Sequence, residues 1–75
     1  MEITIKQVSR EYTIYGGTIK NGKIYYSYMV RVEGGDIAQA VIMEMINGVP
    51  LAVTEREFKE IVSRIEQRIR QNESL

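Results

Sequence analysis

TEREFKEIVSRIEQRIR, residues 54–70, has the clearest pattern in this 75-residue chain. Its apolar residues recur three and four positions apart along one stripe: Phe58, Ile61, Val62, Ile65 and Ile69. A stripe with this period predicts an amphipathic α-helix with one buried face. A helix of this length is marginally stable alone in water, so we expect the stripe to pack against another part of the chain.

The start of this helix has its own signal. Thr54 and Glu57 have the spacing of a capping box, in which the threonine hydroxyl accepts the Glu57 N–H and the glutamate carboxylate accepts the Thr54 N–H. We predict a helix over residues 54–70 and a frayed end over residues 71–75. The alternative is a helix that docks on a partner or a membrane. Its polar face carries both signs of charge, which favours packing on the chain's own sheet.

The composition excludes several kinds of site. The chain has no cysteine and no histidine, which excludes disulfides and thiol nucleophiles and removes the commonest general base and metal ligand. We therefore predict no catalytic residue, cofactor or metal, and no enzymatic activity. Ten basic and ten acidic residues give zero net charge, which argues against a dedicated nucleic-acid binder. No signal peptide or membrane-spanning run is visible, so we expect an intracellular, cytoplasmic protein.

The rest of the chain has β-strand patterns separated by turn signals. Strands are predicted at residues 2–8, 12–20, 23–32 and 37–46, with two-residue hairpin loops at Asn21-Gly22 and Gly34-Gly35. A bulge or a bend is predicted at Gly16-Gly17. Asn47-Gly48 ends the last strand, and an extended connection leads to the helix. The predicted fold is a single α+β domain, residues 1–75. It is an antiparallel meander of three to four strands with the C-terminal helix packed on one face of the sheet.

The two hairpin loops predict which residues share a face. Partners across the second loop are Val32/Ile37, Val30/Gln39, Tyr28/Val41, Tyr26/Met43 and Ile24/Met45, and the first loop adds Ile19 and Tyr15 to the same side. This apolar side suits the helix. The opposite side contains Tyr12, Ile14, Tyr25, Ser27, Met29, Arg31, Ala38, Ala40, Ile42 and Glu44.

That second face is half apolar, and one helix cannot cover both sides of a sheet. A homodimer would bury it, with interface candidates Tyr12, Ile14, Tyr25, Met29, Arg31, Ala40 and Ile42. A different protein partner is another possibility. Two structural alternatives remain: the register is wrong by one residue, or Ile3 and Ile5 fold back to close a small barrel.

Tyrosines and basic residues are also close together in the strand region, between Tyr12 and Arg31. Such a surface could stack nucleic-acid bases or form a protein interface; tyrosine is also simply common in strands. The nucleic-acid contacts would be Lys20, Lys23, Tyr25 and Arg31. The predicted outline resembles, in shape alone, the three-stranded DNA-binding domains of phage-type integrases. This resemblance implies that the chain would contact DNA through the sheet face away from the helix.

Two functions are compatible with this sequence. The leading hypothesis is a small non-catalytic interaction module, a homodimer formed through its sheet; this size and composition also suit an accessory protein of a virus or plasmid. The alternative is a weak nucleic-acid-binding or regulatory module that uses the tyrosine and arginine sheet face.

Overall fold

The computed structural model describes residues 1–9 and 13–73. The strands are β1 (Glu2–Ile3), β2 (Lys6–Ser9), β3 (Ile14–Asn21), β4 (Ile24–Glu33), β5 (Asp36–Ile46) and β6 (Val49–Ala52), followed by the helix α1 (Glu55–Glu73). All strand pairs are antiparallel, in the order β1-β3-β4-β5-β6, with β2 also paired to β3. The α+β class and the C-terminal helix are confirmed. The predicted strand count was too low, since the sheet has six strands.

The extra strand β6 arises from a hairpin that the prediction missed. Asn47 and Gly48 both have positive φ, 52° and 79°, and Ile46 pairs with Val49 across them. Two central residues with positive φ are typical of a type I′ turn, whose twist suits a hairpin. Pro50 is tolerated in β6 because this strand lies at the edge of the sheet. The chain therefore turns back at Asn47-Gly48 before it reaches the helix.

The other two hairpins differ in how well they were predicted. The loop Gly34-Gly35 is correct, with Glu33 paired to Asp36 and both glycines at positive φ. The first loop is Gly22-Lys23, because Asn21 pairs with Ile24. The β3–β4 register is consequently two residues from the predicted one. A shift of two residues keeps each side chain on its face, so Ile19 still faces the helix.

A one-residue bulge in β5 changes the register that matters most. Val32 pairs with Ile37 as predicted, but Arg31 pairs with Gln39, so Ala38 is an extra residue. Because side chains alternate between the two faces of a sheet, one extra residue moves every side chain beyond it to the opposite face from the one that regular pairing predicts. Beyond the bulge Val30 pairs with Ala40, Tyr28 with Ile42 and Tyr26 with Glu44. The prediction placed Ala40, Ile42 and Glu44 away from the helix, which is wrong: they share the face that α1 covers.

The N-terminal edge of the sheet is one strand path interrupted at Thr4. The Thr4 N–H donates to the Thr18 carbonyl oxygen at 2.9 Å, and the Thr18 N–H donates to Thr4 Oγ1 at 2.9 Å. The Thr4 carbonyl oxygen occupies the space that a side chain at Gly17 would need, and it accepts the Tyr28 hydroxyl at 2.8 Å. The β3–β4 pairing shows no register shift at Gly16-Gly17, so of the two predicted alternatives the bulge is wrong. Gly17 instead admits the Thr4 backbone.

The core lies between α1 and the covered face of the sheet. The buried residues are Ile19, Tyr26, Tyr28, Val30, Val32, Ile42, Ile61, Ile65 and Ile69. The predicted stripe is confirmed, with Phe58 and Val62 partly buried beside it. Ile3 and Ile5 pack against this same core, so they do not close a barrel over the second face.

Both ends of α1 are tied to the sheet. At the start, the Glu57 N–H donates to Thr54 Oγ1 at 3.2 Å, as predicted. The return bond differs: the Thr54 hydroxyl donates to Glu57 Oε1 at 2.9 Å, and Glu57 Oε2 accepts the Tyr26 hydroxyl at 3.2 Å. Arg70 Nη2 lies 3.5 Å from Asp36 Oδ1 at the start of β5. The helix continues to Glu73, three residues beyond the predicted end.

The first prediction concerns the buried stripe. Ile65 is completely buried, so Ile65→Ala should lower the free energy of unfolding by about 2–5 kcal/mol through lost burial and a cavity. Ser63 is exposed on the opposite side of the helix, and Ser63→Ala should change it by less than about 0.5 kcal/mol. Urea unfolding measures both values. Equal effects would contradict the packing described here.

The second prediction concerns the buried Tyr28 hydroxyl. Burial raises the pKa of Tyr28 to about 12, whereas an unfolded tyrosine has a pKa of about 10. Between these values the unfolded chain binds fewer protons than the folded chain, so stability should be complete below about pH 10 and fall as the pH approaches about 12. Tyr28→Phe should cost about 1 kcal/mol near neutral pH and reduce this alkaline loss. Urea unfolding from about pH 7 to about pH 12 measures the free energy of unfolding of both proteins. If it falls equally with pH in the wild type and in Tyr28→Phe, the prediction is wrong.

Candidate interaction surface

The sheet face away from α1, here called the open face, is defined by the observed register. Its rows across the strands are Ile14–Arg31–Gln39, Lys6–Gly16–Met29–Val41, Thr18–Ser27–Met43–Ala52 and Glu2–Lys20–Tyr25–Met45–Pro50. Cross-strand partners share a face, so these side chains lie together on one side of the sheet. Among the residues that the structure describes, no element packs over this side.

The centre of the open face is apolar and exposed. Met29 is 50% exposed, Val41 49%, Tyr25 49% and Met43 40%. Two shallow grooves cross this region and share Met29 and Val41. One is lined by Ile14, Met29, Val30, Arg31, Gln39 and Val41, and the other by Ser27, Tyr28, Met29, Val41, Met43, Met45 and Pro50. We call the apolar residues at the centre the methionine patch: Ile14, Tyr25, Met29, Val41, Met43 and Met45.

Most predicted interface residues lie on this face, but not all. Ile14, Tyr25, Met29 and Arg31 are on the open face. Ala40 and Ile42 are not, because the bulge turns them toward α1; Ile42 is 6% exposed and belongs to the core. Tyr12 lies outside the described residues. Whether the remaining residues form an interface stays a prediction.

The sequence prediction missed three members of the methionine patch. Val41, Met43 and Met45 were assigned to the covered face, and the bulge brings them to the open face. Both alternating sets within residues 39–46 are largely apolar, so hydrophobic periodicity gives no preference between the two registers. The Gly34-Gly35 loop correctly predicts the first cross-strand pair, Glu33 with Asp36. Nothing in the sequence, however, indicates the extra residue at Ala38.

Basic residues lie around the open face, at both ends of β4 and at the β2 edge, where Lys6 pairs with Gly16 in the row of Met29. At one end, the Lys20 ammonium lies 5.8 Å from the centre of the Tyr25 ring. At the other, Arg31 Nε lies 3.6 Å from a carboxylate oxygen of Glu33. Tyr25 and Arg31 are six positions apart on β4, about 20 Å along an extended strand. Of the predicted nucleic-acid contacts, Tyr25 thus belongs to the methionine patch, while Lys20 and Arg31 lie toward opposite ends of it. They do not form one continuous basic stripe.

Both edges of the sheet have features that discourage further strand pairing. β6 contains Pro50, which cannot donate a hydrogen bond to a neighbouring strand. The part of β5 that β6 leaves uncovered contains the bulge at Ala38. The N-terminal edge is interrupted between β1 and β2, and its register against β3 shifts between Gln7 and Ser9. Interruptions, bulges and edge prolines are common protections against edge-to-edge association.

The polar groups in the interior have structural roles. The hydroxyl of Tyr28 donates to the Thr4 carbonyl, and that of Tyr26 donates to Glu57. Burial, followed by the hydrogen bond to the Glu57 carboxylate, raises the pKa of Tyr26. Within residues 1–9 and 13–73, no side-chain group of three or more acidic residues is placed to hold a metal ion. The same residues include no helix long and apolar enough to cross a membrane.

Comparisons of the chain with protein-family models, curated proteins and solved structures find no significant match.

Proposed function

We propose that this protein is a non-catalytic interaction module that forms a homodimer by packing the open faces of two subunits together. The observation that supports this proposal is the methionine patch, an uncovered apolar surface at the centre of the sheet. Contiguous exposed apolar surface on a small domain is typical of an interaction site. Burying it would also add stability to a 75-residue domain, which has little core of its own.

Face-to-face packing is favoured over edge-to-edge pairing by the edges themselves. Pro50 at one side, the bulge at Ala38, and the interruption at Thr4 all hinder a regular ladder with another strand. The open face has no comparable obstruction at its centre. In a face-to-face sandwich the two sheets would lie about 10 Å apart, with their inner side chains interdigitating. Methionine suits such packing because its flexible side chain adapts to an irregular partner surface.

The distribution of charge is compatible with a second copy as the partner. Lys20 and Lys23 lie near one end of the β3–β4 ladder, whereas Glu33 and Asp36 lie at the far end of β4 and the start of β5. A twofold axis that sets the two β4 strands antiparallel would bring Lys20 and Lys23 of each subunit toward Glu33 and Asp36 of the other. Within their own subunit these carboxylates already lie beside Arg31 and Arg70. A symmetric dimer contains this contact twice. Zero net charge also means little general repulsion between two copies.

The third prediction tests this dimer with one introduced charge. Met29→Lys would place an ammonium without a counter-charge in the desolvated centre of the interface, at a cost of several kcal/mol, counted twice in a symmetric dimer. Sedimentation equilibrium should show the mass halved, while far-UV circular dichroism should show the helix retained, because α1 covers the opposite face. The matched control is Val49→Lys, since Val49 is 56% exposed in β6 and pairs with Ile46 on the covered face.

A monomeric wild-type protein would contradict the dimer. A Met29→Lys variant that dimerises like Val49→Lys would contradict its open-face arrangement and place the interface elsewhere. Ile42→Lys does not serve as a second test. Ile42 lies in the core beneath α1, so a lysine there would unfold the subunit itself.

A second candidate function, weak nucleic-acid binding, is supported by the contact between Lys20 and Tyr25. An ammonium beside an exposed aromatic ring could hold a phosphate next to a stacked base. The fourth prediction follows from the charges that would contact phosphates. If Lys20, Lys23 and Arg31 bind a single strand, affinity should fall with salt, and replacing all three with glutamine should flatten that dependence.

Fluorescence anisotropy with a labelled oligonucleotide at two salt concentrations measures this effect. Lys59→Gln is a suitable control, because Lys59 is exposed on α1, away from the open face, and pairs with Glu55. Absence of binding at low salt would exclude this second function.

A further inference from the structure

We propose that Met29, Met43 and Met45 form an oxidative modification site, and that oxidation of their thioethers by a peroxide separates the two subunits. This inference rests on the proposed homodimer and assigns a form of regulation to the same surface. Of the four methionines in the chain, one is Met1 and the other three belong to the methionine patch.

The geometry places the three sulfur-bearing side chains next to one another. Met43 and Met45 are two positions apart on β5, so they point to the same side of the sheet. Met43 pairs with Ser27 on β4, and Met29 lies two positions further along that strand on the same side. All three line one groove. Oxidation would therefore change one continuous region and not three scattered positions.

These methionines are accessible in a separated subunit. Met29 is 50% exposed and Met43 is 40% exposed, so a small peroxide can reach both thioethers without unfolding the chain. Hydrogen peroxide transfers one oxygen atom to the sulfur. The peroxide O–O bond breaks and a sulfur–oxygen bond forms; the sulfur loses two electrons, and the peroxide is reduced to water. The product, methionine sulfoxide, is polar.

The polar sulfoxide would be incompatible with a dry interface. Burying a polar group without a hydrogen-bond partner is unfavourable, and the methionine patch offers mainly apolar neighbours such as Val41 and Ile14. Each oxidised position enters a symmetric interface twice. We expect the dimer dissociation constant to rise at least about a hundredfold when both Met29 and Met43 are oxidised. The fold of each subunit should persist, because the modified side chains face away from α1.

Met1 provides an internal control in the same molecule. It is 43% exposed, similar to Met43, but it lies beside Glu2, Ile3 and Arg68, away from the methionine patch. In a dimer, Met29 and Met43 are buried while Met1 stays exposed. Oxidation of Met29 and Met43 by hydrogen peroxide should therefore be slow at high protein concentration and faster on dilution. The rate at Met1 should be the same at both concentrations.

The fifth prediction combines this rate measurement with oligomeric state. Wild-type protein at two protein concentrations is treated with the same concentration of hydrogen peroxide. Peptide mass spectrometry gives the oxidation rate at each methionine. Sedimentation equilibrium then compares treated and untreated protein. Replacing Met29, Met43 and Met45 with leucine keeps the face apolar and similar in volume. That triple variant should dimerise and resist peroxide, whereas Met1→Leu should remain as sensitive as the wild type.

The possible results separate this inference from the function on which it rests. A wild-type protein that is monomeric at both concentrations overturns both proposals. A dimer that persists with Met29 and Met43 fully oxidised overturns the oxidative site and leaves the homodimer standing. Equal oxidation rates at Met1 and Met29 at every concentration, in a protein that does dimerise, place the interface elsewhere and overturn both the site and the open-face arrangement.

Discussion

The packing of α1 on one face of the sheet is the contact on which the rest of this small domain depends. Ile65 from the helix, with Ile19 and Val30 from neighbouring strands, is almost completely shielded from water. A helix gives one apolar stripe and can bury one sheet face, so the opposite face must be either polar or covered by something else. In this chain the opposite face is apolar at its centre. The fold therefore buries one apolar sheet face under α1 and leaves a second apolar surface exposed. This exposed surface is the physical basis for proposing an interaction module.

A single residue determines which side chains make up that surface. Without the bulge at Ala38, the covered face would receive Val41 and Met43, and Ile42 would be exposed. With the bulge, compact β-branched Ile42 packs under the helix, and the longer methionines lie outside. The bulge also distorts the part of β5 that β6 does not cover. One local irregularity thus selects the residues of the open face and protects an otherwise uncovered edge, which together favour association through the face.

Sequence patterns predicted the parts of the fold whose signals are local and one-sided. The stripe from Phe58 to Ile69 gave the helix because its other residues are polar, and Thr54 with Glu57 gave its start. The strand β6 was missed although Asn47-Gly48 carries the same turn signal as the other hairpins; Pro50 suggested an extended connection, and a proline is acceptable only because this strand is at an edge. The register of β5 could not be predicted, since residues 39–46 are apolar on both sides. Half of the methionine patch, namely Val41, Met43 and Met45, was therefore assigned to the wrong face, while Ile14, Tyr25, Met29 and Arg31 were placed correctly.

The division of apolar residue types between the two faces follows from what each face has to do. The buried set in the described chain consists of isoleucine, valine and tyrosine and contains no methionine. Stiff β-branched side chains have few rotamers to lose when they pack, which suits a core that must hold one arrangement against α1. Methionine loses more side-chain freedom on burial but fits irregular and changing surroundings. In the proposed dimer, a surface that is exposed in one subunit and conforms to a second is better served by Met29 and Met43 than by more isoleucine. The same choice makes that surface, unlike the core, open to chemical change at sulfur.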